Sequence, residues 1–263
     1  PGETVDYDFA TRVAGTHWMH SHVGLQEQQM LAAPLIIRES STPLADEQEH
    51  VVMLHDFTFR DPGEILAELQ AGKGAHAAHA GHTMEGADMT AMDHGNMPGM
   101  AGMLNDIVFD AFLANDRTLD DPEVVRAEKG GRFRLRIINA SAASNMWIDL
   151  GPLTGELIAV DGQSVQPLSA SRFPLAIAQR ADIRLQLPQG SGAWPVLFKV
   201  EGGTGQSGII LAAGDGSIGK ISDQGDAQPA LTLEMEARLR AMGETPDIAV
   251  SRTEMLMLTG GGT

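Results

Sequence analysis

Three histidines fall within six residues at Thr16-His17-Trp18-Met19-His20-Ser21-His22. Residues two apart on a β-strand point to the same face. On a strand, His20 and His22 therefore offer two imidazoles side by side, and His17 points the other way. Imidazole is the commonest nitrogen ligand for copper, zinc and iron, so the spacing suits a metal site. A pair of surface or capped histidines is the other reading of the same residues. The alternating run Val5, Tyr7, Phe9 just upstream reads as a strand.

A second set of potential ligands lies between Gly72 and Met103. His76, His79, His82 and His94 are interspersed with Met84, Met89, Met92, Met97, Met100 and Met103, among Ala, Gly, Asp and Thr. Thioether sulfur is soft and prefers Cu(I), and imidazole accepts either copper oxidation state. The stretch has no apolar periodicity and is interrupted by Gly and Pro, so a disordered surface loop is expected. Its sulfur content favours copper over zinc; an inert low-complexity linker is the alternative.

The elements around these groups read as all-β. Strand signals occur at His50–Leu54, Phe57–Phe59, Ile107–Phe109, Val124–Val125, Phe133–Ile137, Met146–Ile148, Leu157–Val160, Phe173–Leu175, Ile183–Leu185, Val196–Phe198 and Ile209–Leu211, with turns such as Asp161-Gly162 and Gln189-Gly190 between them. Many short strands at this spacing mean a sandwich or barrel. Phe133, Leu135 and Ile137 face one way and Arg134 and Arg136 the other, the pattern of a half-buried strand. Asp61-Pro62 before Ile65, Leu66 and Leu69 marks a helix start, with Asp61 as cap and Pro62 at the first position. A second helical stretch is expected at Leu231–Met242. Trp18 and Trp147 read as core, His50 and His55 as structural or surface histidines, and Asn139 and Asn145 as turn or strand-edge residues.

Composition narrows the partners. Eighteen basic and 35 acidic residues give a net charge of −17, which repels nucleic acid and anionic membrane and attracts cations. No apolar run approaches the ~20 residues of a membrane-spanning helix, so no membrane insertion is expected. There is no Gly-rich phosphate loop after a strand and no Ser/His/Asp arrangement.

Gly15-Thr16-His17-Trp18-Met19-His20-Ser21-His22, then Gln26 and Ala33-Pro34-Leu35-Ile36-Ile37, closely resembles the second copper-binding motif of the multicopper oxidases. Met19 and His17 stand where that family usually has tyrosine, and neither departure touches a ligand. The resemblance implies that His20 and His22 bind the type 3 copper pair of a trinuclear cluster and that His17 is no ligand. Arg134–Ala140, Val160-Asp161-Gly162 and Pro167 resemble the family's second domain, a cupredoxin-like Greek-key β-sandwich. The implied organisation is residues 1–42 as the end of a first cupredoxin domain, 43–216 as the second with the Met/His loop at 72–103, and 217–263 as a connector into a third.

The family draws its cluster from four His-X-His pairs and its type 1 copper from a cysteine. This sequence has no cysteine, no His-Trp-His-Gly and no histidine after His94, so it reads as the middle of a longer protein. The resemblance implies part of a bacterial laccase-like or copper-tolerance oxidase, periplasmic, with copper as cofactor. Its partners would be oxygen and a reductant such as a phenol or Cu(I). Two rivals are a non-enzymatic copper-buffering module built on the Met/His loop, and a two-domain enzyme of the nitrite reductase kind, which needs a cysteine ligand.

Overall fold

The computed structural model describes residues 2–11, 13–38, 46–72, 104–243, 249 and 251–257. The tract from 73 to 103, with its candidate ligands His76, His79, His82, Met84, Met89, Met92, His94, Met97, Met100 and Met103, lies outside them. Thirteen strands are described, in three sheets. β1 (Gly15–His20) and β2 (Ala32–Ile37) form a two-stranded antiparallel hairpin.

The other two sheets face each other as a sandwich. β3 (Gln48–Phe57), β4 (Ala111–Ala114), β6 (Arg132–Asn139), β8 (Gly155–Val160), β9 (Gln163–Ala170) and β11 (Arg180–Gln186) make six strands in the order β4-β3-β6-β11-β8-β9. β5 (Glu123–Ala127), β7 (Met146–Asp149), β10 (Arg172–Leu175), β12 (Gly192–Val200) and β13 (Gln206–Ala213) make five, in the order β10-β7-β12-β13-β5. β3 runs parallel to β6 and β13 parallel to β5; the other pairs are antiparallel. Phe133, Leu135 and Ile137 meet Ile148, Phe173, Phe198, Ile209 and Leu211 in one core, all fully buried. Each such side chain contributes roughly 1.5–3 kcal/mol by leaving water.

β13 is buried along its whole length, because its outer face is covered in turn. Gln206 N donates to Asp223 O, and bridges join Gly205 to Gln224 and Glu201 to Gln228. This is why the strand reads as a continuous apolar run and not as an alternation.

Local signals account for the turns and the helix. α1 (Pro62–Gln70) opens as expected, with Asp61 Oδ1 accepting from Gly63 N and Glu64 N. Asp161 (φ 52°) and Gly162 (φ 80°) join β8 to β9 as a two-residue hairpin turn, the geometry that an Asp-Gly step favours.

Four expectations are corrected. Residues 2–10 are irregular, and Val5, Tyr7 and Phe9 are 61%, 82% and 67% exposed; period-two alternation makes a strand only where a neighbour completes the ladder, and no described strand pairs with it. Ile107–Phe109 is also irregular, because Asn105 Oδ1 accepts from Ile107 N and bends the chain. In Leu231–Met242 only Glu236–Arg238 is helical, as one 3-10 turn. There the backbone bonds the edge of β9 instead, through Gln166 N to Arg240 O and Met242 N to Ser164 O. Trp147 lies outside the core, on the outer face of its sheet, donating from Nε1 to Pro229 O beneath the Arg172 guanidinium.

Candidate metal centre

The hairpin that carries the histidines is fastened to the sandwich by buried polar bonds. Thr16 Oγ1 donates to Asp182 Oδ1 at 2.5 Å and accepts from Arg136 Nη1 at 2.9 Å. Arg136 also donates to Asp182 Oδ2 and to Glu49 Oε1, and Arg38 closes on the other Glu49 oxygen. Burial raises the Glu49 pKa, but the bonds and charges of Arg136 and Arg38 outweigh it and hold the carboxyl below its usual value. At Arg136 the polar face of β6 therefore meets the hairpin, not water. Two residues along β1 on the same face, Trp18 packs on Met53, Ile138 and Ala140.

The next positions on that face are His20 and His22. Trp18 stacks on His20 with ring centroids 4.3 Å apart at 19°, and His20 and His22 lie 4.4 Å apart at 32°. The structure thus brings the two imidazoles together, although β1 ends at His20 and His22 continues beyond it. His17 takes the opposite face. Its ring lies against Gly162, where a Cβ would come within 2.9 Å of Cε1, and its Nε2 is 3.2 Å from Val13 O.

The loop after the pair is tightly bonded to itself. Ser21 Oγ donates to Gln26 Oε1 and accepts from Val23 N. Leu25 and Met30 take positive φ of 61° and 62°, and Met30 N bonds Glu27 O. The 3-10 turn Glu27–Gln29 so formed brings Glu27 Oε2 to 3.0 Å from His20 Nδ1. That nitrogen is buried and has no aligned hydrogen-bond partner among the described residues. Sequence reasoning missed Glu27; the only signal was an acidic residue beside the motif's glutamine.

A cavity of about 150 Å³ adjoins the loop, lined by Leu25 and Gln28 from it, Ile65 and Leu69 from α1, and Ile107 and Phe109. Among the described residues, no three His, Cys, Asp or Glu side chains come together as a complete metal site.

Residues 48–213 match the family profile described as multicopper oxidase, and residues 1–42 match a second profile of the same description. The chain belongs to the multicopper oxidase family. Copper resistance protein A of Escherichia coli is a multicopper-oxidase relative 30% identical over 257 residues, covering 89% of this chain and 40% of that protein. The multicopper oxidase MmcO of Mycobacterium tuberculosis is 27% identical over 220 residues, covering 82% and 42%. Among solved structures, Fet3p, a multicopper oxidase that functions in iron import, superposes with a TM-score of 0.67 at 10% identity, over 90% of this chain and 41% of that one. The laccase of Botrytis aclada does so with 0.60 at 20%, over 86% and 40%. These likenesses show the fold, a cupredoxin-like sandwich. The chain spans about 40% of the length of these multicopper-oxidase relatives.

Copper is the cofactor of multicopper oxidases, and the residues present fit it. The candidate donors are two adjacent imidazoles, one with a buried, unaligned ring nitrogen. Neutral imidazole suits copper.

Proposed function

We propose that this chain is part of an oxidase that couples one-electron oxidation of a reductant to four-electron reduction of oxygen to water. The observation that carries the reading is the approach of His20 and His22 on one face while His17 is turned against Gly162. His20 and His22 hold the type 3 copper pair, with the remaining ligands supplied from outside this sequence. Copper there supplies the one-electron redox steps and the binding of oxygen. The protein's own part is to hold two neutral imidazoles in fixed orientation: Trp18 stacks on one, and the Thr16 bonds keep β1 against the sandwich.

The proposed organisation places residues 1–42 in a first cupredoxin domain, 43–216 in a second and 217–263 in a connector toward a third. The periplasm is the proposed location, and no described helix is long and apolar enough to cross a membrane. A phenol or a metal ion such as Cu(I) is the proposed reductant. Oxygen uptake tests the reading. The 263-residue polypeptide, holding one His-X-His pair and no cysteine, should consume none after copper loading. A chain extended to the relatives' length should consume oxygen with a phenol or Cu(I) and lose that activity on His20→Ala. Turnover by the short polypeptide, or full turnover by the extended His20→Ala variant, contradicts it.

A second reading is a copper-buffering role for the Met/His tract. Six methionines and four histidines between Gly72 and Met103 favour it. Described residues on either side of it in the sequence, from α1 and at Ile107, line the cavity that the histidine loop also lines. The two roles are compatible in one protein.

A further inference from the structure

The His20 ring is contacted by Trp18 and His22, and its Nδ1 lies 3.0 Å from Glu27 Oε2, with the His20 and Glu27 side chains 24% and 26% exposed. The distance is that of a hydrogen bond, but the ring N–H is not aligned on the oxygen, and Nδ1 has no other partner among the described residues. Gln26, the nearest amide in sequence, is engaged by Ser21. The carboxylate is thus already at bonding distance from a buried nitrogen that needs an acceptor. The loop that places it is fixed by Ser21 N to Leu31 O, Leu31 N to Gln26 O and Met30 N to Glu27 O, at 2.9–3.0 Å.

A neutral imidazole carries one N–H, so an acceptor at one nitrogen leaves the lone pair on the other. Histidines that bind metal commonly donate that N–H to a carboxylate, which fixes the tautomer and the ring orientation. We infer that Glu27 is the positioning residue of His20: it accepts from Nδ1–H and so presents the Nε2 lone pair to copper. This rests on the reading of His20 as a copper ligand.

Nitrogen NMR of the labelled 263-residue chain tests it, because ring shifts report the tautomer without copper and without turnover. Above the usual histidine titration range, His20 should carry its proton on Nδ1. Glu27→Ala should move it to Nε2. Cu(I), buffered by a competing chelator, should then be needed at about 10–100-fold higher free concentration to shift the His20 ring, the usual cost of losing such a partner. Glu27→Gln keeps an acceptor oxygen and should retain the Nδ1–H form and most of the binding, which separates the role from loop disruption. An unchanged tautomer in Glu27→Ala overturns the inference even if Cu(I) still shifts the ring. A tautomer that follows Glu27 while Cu(I) shifts the ring in no variant, even in a chain extended to the relatives' length, overturns the copper reading and reduces Glu27 to a structural contact.

Discussion

Arg136 in β6 donates to Thr16 Oγ1 in β1 at 2.9 Å, with the Arg136 side chain 4% exposed. The guanidinium thereby bonds the sandwich to the hairpin four residues ahead of His20, and its other partners, Asp182 and Glu49, are carboxylates.

Removing one partner from such a buried group leaves charge uncompensated, at about 3–5 kcal/mol. Arg136→Ala should lower stability by that order in a urea titration. Arg38→Ala also takes an ion-pair partner from Glu49, but Arg38 is 64% exposed, so about 1 kcal/mol or less is expected. Equal losses for the two would show that burial of the network does not matter.

Gly162 does two jobs at once. Its φ of 80° suits glycine, and an added Cβ would meet His17 Cε1 at 2.9 Å. A Gly→Ala exchange at a compatible backbone stabilises by about 0.4–1 kcal/mol, whereas here, at positive φ and against His17, Gly162→Ala should destabilise by more than that amount. Adding His17→Ala should recover part of the loss, by removing the clash and leaving the backbone strain. A thermal melt that shows simple additivity would place His17 elsewhere.

His55 is 4% exposed, and among the described residues neither ring nitrogen has a hydrogen-bond partner. Burial lowers its pKa from 6.5, partly offset by Asp116 and Asp56. Below 6.5 the unfolded chain takes up a proton that the folded one refuses. This contribution to stability is full above 6.5 and falls as pH drops toward the folded value. His55→Phe should flatten that limb of the stability–pH curve, measured by denaturant midpoints; an unchanged slope would assign it to other groups.

The sandwich was legible because strands buried on one face announce themselves by alternation, as Phe133, Leu135 and Ile137 do. The opposite face of the same strand was not. Arg134 and Arg136 read as solvent-facing, yet Arg136 is buried against Thr16, a partner 120 residues away. Leu231–Met242 has the composition of a helix but bonds β9, because tertiary pairing overrides local preference. In the site, the facing of His20, His22 and His17 followed from the two-residue period. Glu27 did not, since its approach to His20 depends on two left-handed residues, Leu25 and Met30, that no periodicity encodes.

The Met/His tract should bind Cu(I) through its thioethers, which are soft ligands. Fixing backbone around an ion costs about 1–2 kcal/mol per ordered residue, so moderate affinity is expected. Replacing Met84, Met89, Met92, Met97, Met100 and Met103 by serine should weaken Cu(I) retention against a chelator and leave the thermal midpoint of the sandwich unchanged. Equal retention by wild type and variant would make the tract a linker.

The central claim is that His20 and His22, and not His17, hold copper. The direct measurement is bound copper per chain, with the near-ultraviolet absorption of the coupled copper pair, in a chain extended to the length of its relatives. His20→Ala and His22→Ala should each lose the pair and its absorption, while His17→Ala should keep both. Copper loss in His17→Ala as complete as in His20→Ala would contradict the assignment.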